Sequence, residues 1–253
     1  MDSDQLRAVQ IKELEILLAV DRVCRKHHIT YYLIGGSALG AVRHNGFIPW
    51  DDDIDLGMPR NDYERFLNLG TRELGEKYYV QTYRSQPNFP FTWAKVNLNN
   101  TTFIETALQN LKIHHGVFID VFPLDGVPRG LACRFIQNFL FKALMRVPIS
   151  ISPRLTFWRC AAMDWIISRV PDDRSKVWAN RAWGTERECM DRAVYGIPAF
   201  MNFEGHKLPV PQQCTKYLSN FYGNYLELPP PEERHGHYPL VVDLTKSHED
   251  YFR

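Results

Sequence analysis

The chain has 253 residues, with 30 Lys and Arg against 29 Asp and Glu and a formal charge of +1. At roughly 150 residues per domain, that length means one large domain or a core with a sizeable appendage. The charge balance excludes non-specific attraction to a nucleic-acid backbone. The 45% hydrophobic and 23% charged shares exclude wholesale disorder. Asp2 and Asp4 open the chain without the basic and apolar blocks of a secretory signal. The longest uncharged run, 27–42, is too short and polar to span a bilayer, which takes about 20 apolar residues. Five widely spaced cysteines without a Cys-x-x-Cys pair read as reduced thiols of a cytoplasmic protein.

In chain order, residues 5–27 predict a helix. Val9, Ile16, Val20 and Val23 form one apolar stripe and Ile11, Leu14 and Leu18 a second. Tyr31 to Ile34 reads as a short buried strand ending at a Gly35-Gly36 turn, after which Ser37 caps a helix running to His44. Asn45-Gly46 breaks that helix. Ile54, Leu56 and Met58 then alternate with Asp53, Asp55 and Gly57, a half-buried strand with both aspartates on one face. Asn61 and Glu64 suggest the start of a helix through Tyr63, Phe66 and Leu67. Strands are predicted at 78–83, 91–98, 101–105 and 117–124, with Asn99-Asn100 as a hairpin turn. From Gly126 to Met163 there are six basic residues and no acidic one, among five aromatic residues; two helices broken near Pro148 and Pro153 are expected. A hairpin at Gly205, a helix over 212–222 and a Pro- and His-rich tail from Pro229 complete the chain.

The densest chemistry is Pro49-Trp50-Asp51-Asp52-Asp53-Ile54-Asp55-Leu56. Carboxylates so close repel one another unless cations lie among them, and oxygen ligands suit Mg²⁺ or Mn²⁺. A solvated acidic loop is the plainer alternative, against which the apolar alternation through Met58 argues. A calcium loop fits Asp51, Asp53 and Asp55 but places Leu56 where glycine is required and Asp62 where glutamate is usual, with Pro59 interrupting it. Upstream, the Gly35-Gly36-Ser37 turn offers backbone N–H groups and a hydroxyl to a phosphate, although glycine pairs are more often simple turns. A Gly-Gly-Ser turn followed by an Asp-x-Asp strand resembles the nucleotidyltransferase fold of the DNA polymerase β type. That resemblance implies a third carboxylate from a neighbouring strand, and Asp120, in an otherwise apolar strand, is its natural candidate.

Three stretches carry a more specific resemblance: Tyr32 to Asp55, Phe118-Ile119-Asp120-Val121-Phe122-Pro123-Leu124-Asp125-Gly126, and, more weakly, Tyr222-Gly223-Asn224-Tyr225 followed by Leu228-Pro229-Pro230-Pro231. In these the sequence resembles the LicD family of phosphotransferases. The resemblance implies an α+β fold with a nucleotidyltransferase-like core, over residues 1–127, and a completing C-terminal region over 186–253; the stretch 128–185 between them, outside the matching motifs, reads from its composition as a basic, aromatic helical insertion or subdomain. It implies transfer of phosphocholine or a related phospho-alcohol from CDP-choline or another CDP-alcohol to a surface-glycan sugar, with release of CMP; animal relatives transfer ribitol phosphate. The expected setting is modification of a lipopolysaccharide or teichoic acid, from the cytoplasm or the inner face of the plasma membrane.

On that reading Asp53, Asp55 and Asp120 hold two Mg²⁺ or Mn²⁺ ions, and Asp120 accepts the acceptor proton. Asp51 and Asp52 assist as further or outer ligands. Gly35, Gly36 and Ser37 face the phosphates, with Arg43 and Lys95 as charge-stabilising candidates whose commoner role is an ordinary ion pair. Trp50, with Phe47, offers an aromatic face to a quaternary ammonium, or anchors the loop. His44 orders that loop. The pairs His114-His115 and His235-x-His237 lack a zinc spacing and read as surface or hydrogen-bonded histidines. The 129–165 helices either cover the sheet or meet an anionic membrane carrying a lipid-linked glycan acceptor. Two rival functions stand beside this one: a nucleotidyltransferase that adds a nucleoside monophosphate to a small acceptor, and a non-catalytic metal- or nucleotide-binding module.

Overall fold

The computed structural model describes residues 1–148, 152–181, 188–234, 236 and 239–251. Helix α1 (Ser3–Lys26) starts at Asp2, whose carboxylate accepts the Gln5 N–H at 2.8 Å. Its buried face carries Val9, Ile16, Val20 and Val23, as the spacing predicts, together with Gln10, Glu13 and Asp21. The second stripe is less buried, with Leu14 and Leu18 half-buried and Ile11 exposed. After β1 (Tyr32–Leu33) and α2 (Gly35–Arg43), Asn45 takes a left-handed conformation (φ 57°) and the chain leaves the helix as expected. Strand β2 (Asp55–Pro59) leads into α3 (Arg60–Leu74).

The main sheet is mixed. Strands β3 (Tyr78–Gln81), β4 (Ala94–Leu98) and β6 (Phe118–Gly126) join β1 and β2 in the order β1-β2-β6-β4-β3. The β2–β6 pair is parallel and the others are antiparallel. All nine residues of β6 are buried, as expected for a central strand with both faces covered. Beyond β4, its last residues pair with β7 (Val177–Asn180), which pairs with β8 (Met190–Asp191). The core runs continuously from α1 through this sheet to β9 (Ala199–Phe203), β10 (His206–Val210) and α7 (Cys214–Tyr222), preceded by the short α6 (Arg192–Tyr195). The chain is therefore α+β with a mixed sheet. Helices α4 (Leu131–Met145) and α5 (Pro153–Ile167) pack together around Phe141, Met163 and Ile167. Among the described residues no helix is long and apolar enough to cross a membrane.

Three local expectations are corrected. Ser37 is not a helix cap: α2 begins at Gly35, and the Ser37 hydroxyl instead accepts the Asp55 N–H at 2.8 Å. Asn61 is the second residue of α3 rather than its cap, because Pro59, at the end of β2, occupies that position. Asn99-Asn100 turns the chain, with Asn100 at φ 59°, but the flanking strands do not form a hairpin. Strand β5 (Thr102–Glu105) pairs antiparallel with β11 (Pro239–Asp243), while β4 is already paired on both edges by β3 and β6.

Candidate active site

Parallel pairing of β2 with β6 puts Asp55 directly opposite Asp120, and antiparallel pairing of β4 with β6 puts Lys95 opposite Asp120 on the other side. Two carboxylates and an ammonium thus share one row across three strands. The row is fixed by backbone bonds, with the Asp120 N–H donating to the Ile54 carbonyl at 2.9 Å and the Ile34 N–H to the Asp55 carbonyl at 3.0 Å. Asp53 lies before β2, which begins at Asp55, so it is not a strand residue sharing a face with Asp55 as the alternation predicts.

The N-terminus of α2 faces the same carboxylates. Gly35 sits at φ +52°, a conformation that favours glycine, and donates its N–H to the Tyr217 hydroxyl at 2.9 Å. A Cβ on Gly36 would lie 2.8 Å from an Asp51 carboxylate oxygen, and one on Gly35 would lie 3.0 Å from Asp55. The two glycines therefore make room for acid side chains at a helix N-terminus, where negative charge is favoured.

Trp93 donates its indole N–H to Asp120 Oδ1 at 2.7 Å. Burial nevertheless pushes the Asp120 carboxyl up to about 6, with Glu105 and Asp53 adding to the rise and Lys95 and the Trp93 bond opposing it. Asp55 keeps part of its surface open, but the packed protein desolvates its carboxylate; that burial, then repulsion from Asp53, Asp120 and Asp51, holds it well above the ordinary range.

The sequence reading missed a further carboxylate. Glu13, on the buried face of α1, is 2% exposed and its Oε2 has no hydrogen-bond partner. Burial raises its pKa first, and Asp53, Asp52, Asp51 and Asp120 raise it further. One turn earlier Gln10 donates to the Asp51 carbonyl at 2.8 Å, so this face of α1 meets the acidic loop. The signal was present in the sequence: Glu13 interrupts the stripe of Val9, Ile16 and Val20.

Asp51, Asp53 and Asp55 open onto a cleft of 540 Å³ that Gly36, Arg43 and Trp50 also line. Its opposite wall is Tyr222, Tyr225 and Leu228 to Pro230, so the structure brings the C-terminal motif to the acidic strand. Arg43 holds that wall in place, donating to the carbonyls of Tyr225 at 3.1 Å and Glu227 at 3.4 Å. Its Nε donates to His44 at 2.9 Å, and burial followed by the Arg43 charge lowers the His44 pKa. The Arg234 guanidinium lies 4.8 Å from the centre of the Trp50 ring. Trp50, Asp52 and Arg234 also border a second cleft, of 470 Å³, with Gln10 and Glu204.

The other candidates lie elsewhere. Lys95 is buried beside Asp120, bonded to Glu105 at 2.6 Å with its ammonium 3.3 Å from the centre of the Phe118 ring, and does not line the cleft. Phe47 is core, packed on Phe203. His114 bonds to Asn99 at 2.9 Å and His115 to the Leu111 carbonyl at 2.9 Å, both with lowered pKa values owing chiefly to burial. The His235 and His237 pair lies outside the described residues.

Carboxylate oxygens alone, with a buried orphan at Glu13 and neighbours held above their ordinary pKa, form a donor set suited to a hard divalent cation. Among the described residues no three His, Cys, Asp or Glu side chains stand close enough together to form a cation cage.

Residues 28–136, which include the whole acidic row, match the domain family described as LicD/FKTN/FKRP, nucleotidyltransferase domain. The chain carries a LicD-family domain. It is 25% identical to the lipopolysaccharide cholinephosphotransferase LicD of Haemophilus influenzae over 92% of this chain and 96% of that protein. Over 47 residues it is 47% identical to the human ribitol 5-phosphate transferase FKRP, covering 19% of this chain and 10% of FKRP. An uncharacterized Rickettsia typhi protein is 42% identical over 22% of this chain and 20% of its own length. This LicD-family domain ends inside α4, and the cleft wall at Tyr222 to Pro230 lies beyond it.

Proposed function

We propose that this chain is a LicD-type phosphotransferase that moves phosphocholine, or a related phospho-alcohol, from a CDP-activated donor to a sugar of a cell-surface glycan such as lipopolysaccharide. The observation that carries the reading is the convergence of Asp51, Asp53 and Asp55 with the Tyr222 to Pro230 wall on one cleft, with Asp120 buried and in register with Asp55 on the neighbouring strand. Similarity to a cholinephosphotransferase along nearly the full length of both chains supports it. The parallel β2–β6 pair, with an acid on each strand and α2 running from the preceding turn, is read as a nucleotidyltransferase core.

The acceptor hydroxyl oxygen forms a bond to the phosphorus that bears the alcohol, the bond from that phosphorus to the CMP oxygen breaks, and CMP leaves. Asp53, Asp55 and Asp120 would hold one or two Mg²⁺ or Mn²⁺ ions, with Asp51 and Asp52 around them. A bound cation supplies neutralisation of the diphosphate charge and lowers the pKa of the attacking hydroxyl. Asp120, in register with Asp55 on the neighbouring strand, would take the acceptor proton, and the Trp93 indole keeps its carboxylate oriented. Arg43 orders the far wall against the donor, and Trp50 presents a ring whose face already accommodates a cation. The second cleft, sharing Trp50 and the acidic loop, offers the acceptor a separate approach. The working site is the cytoplasmic face of a membrane, where lipid-linked glycan is available.

CMP release from CDP-choline, CDP-ribitol and CDP-glycerol, assayed with Mg²⁺ and a glycan acceptor, tests the reading. Turnover of one of the three is the expected result. Pyrophosphate release from a nucleoside triphosphate instead would favour nucleotide transfer, and activity with neither would favour a binding module.

A further inference from the structure

Helix α4 departs from the usual pattern of a surface helix, which turns polar residues outward. Only Gln137 and Phe141 are buried, and every exposed residue of α4 is apolar except Lys142. Leu131 is 80% exposed, Phe135 71% and Phe139 61%. They recur at four-residue intervals, and Lys142 and Arg146 continue the ridge at the next two helical steps. Helix α5 repeats the arrangement. Leu155, Trp158 and Trp165 share an exposed stripe, with Trp158 68% and Trp165 59% exposed. The Arg169 guanidinium lies 3.7 Å from the centre of the Trp165 ring. Exposed basic residues frame the pair at Arg129, Lys142, Arg146, Arg154 and Arg169, and the stretch 126–163 contains no acidic residue.

The geometry points to the α4–α5 pair as a surface that docks on an anionic lipid bilayer, lying in the headgroup region without crossing it. Three observations select this occupant. Neutral hydrogen-bonding side chains are absent from the exposed face of α4, which suits hydrocarbon beneath and phosphate around rather than a protein interface with its usual polar rim. Tryptophans stand at the exposed surface beside arginines, the combination favoured at a membrane–water boundary, where long basic side chains lay their stems along apolar surface and keep their charges in the headgroups. A second copy of the chain would bring the same positive charge against itself, so charge complementarity disfavours self-association and favours an anionic lipid. Neither helix is long enough to span a bilayer: each has 15 residues. The inference rests on this face alone and does not depend on the proposed phosphotransfer.

Co-sedimentation of the full chain with vesicles of phosphatidylcholine alone, and of phosphatidylcholine with about one third phosphatidylglycerol, tests it without any turnover. The expected result is partition at least about tenfold stronger on the anionic vesicles, falling as salt rises. Tryptophan emission should shift to the blue on binding. The double variant Phe135→Ser/Phe139→Ser should lose about tenfold in partition with an unchanged circular dichroism spectrum, since both rings are exposed. Lys142→Glu/Arg146→Glu, which spares the apolar ridge, should remove the preference for anionic vesicles. Binding to neither vesicle, equal binding to both, or a dimer in light scattering that Phe135→Ser/Phe139→Ser dissociates would overturn the assignment.

Discussion

A carboxyl group that burial lifts to about 6, as at Asp120, binds its proton more tightly in the folded state than in the unfolded chain. Its contribution to stability is therefore complete below its ordinary value of 3.8 and is lost as pH rises through about 6, a difference of roughly 3 kcal/mol. Asp120→Asn keeps the shape, and its side-chain carbonyl can still accept from Trp93, so in EDTA the variant should be the more stable form at pH 7 by about 1 to 3 kcal/mol, with the gap closing toward pH 4. Thermal midpoints at the two pH values measure this, and added Mg²⁺ should raise the wild-type midpoint more at pH 7 than at pH 5. Glu13 belongs to the same electrostatic group but was harder to read in the sequence, because it lies about 40 residues upstream of the acidic run and only the fold brings α1 against it. Glu13→Gln should raise the cation-free midpoint and weaken Mn²⁺ binding about tenfold in calorimetry; unchanged affinity would remove Glu13 from the site.

At the scale of elements, a buried ionic network joins β6, α3 and α5. Arg60 grips Asp125 through two bonds, at 2.7 and 2.8 Å, and reaches Asp164 on α5 at 3.0 Å. Arg84 and the Tyr83 hydroxyl also bond to Asp164, each at 2.8 Å. Asp125, in the second LicD-like stretch, thus anchors the helix pair to the sheet rather than facing the cleft. Arg60→Ala would leave Asp125 buried without its partner, while Asp164 keeps Arg84 and Tyr83, and should cost about 3 to 5 kcal/mol in denaturant unfolding; a cost below about 1 kcal/mol would mean that the network is not coupled. Elements governed by local pattern were legible in the sequence: the stripe of α1, the hairpin at Gly205 and the two helices after Gly126 all occur, whereas β2 begins at Asp55 and is buried continuously from Leu56 to Pro59 rather than alternately. The pairing of β5 with β11 was not, because it joins strands more than 130 residues apart. Asn99-Asn100 signals a turn but carries no information about which partner each flanking strand takes. The roles of Ser37 and Asn61 were misread for a related reason, since a capping pattern cannot show that a hydroxyl is used by a strand or that a proline holds the cap position.

Across the whole molecule, the near-zero net charge conceals two separated excesses. Acids from three segments, Glu13, Asp51 to Asp55 and Asp120, meet at one end of the parallel strand pair, and exposed basic residues frame the α4–α5 face. The cleft is completed only by the C-terminal segment from Tyr222 to Pro230, tied across the fold by Arg43. The acidic run from Asp51 to Asp55 was legible as a cluster, whereas the wall that makes it a cleft required tertiary structure, as did the use of the Gly35 N–H by Tyr217 and of the Ser37 hydroxyl by the Asp55 N–H. Lys95 shows the same limit: the sequence marks it as a cation near the acids, and the fold commits it to Glu105. The most direct test of the account is CMP release from CDP-choline, CDP-ribitol or CDP-glycerol with Mg²⁺, measured side by side for wild type, Asp53→Asn and Asp120→Asn. The account predicts turnover by the wild type with one of these donors, abolished by EDTA and at least about a hundredfold slower in each variant. Wild-type rates retained in both variants would contradict it.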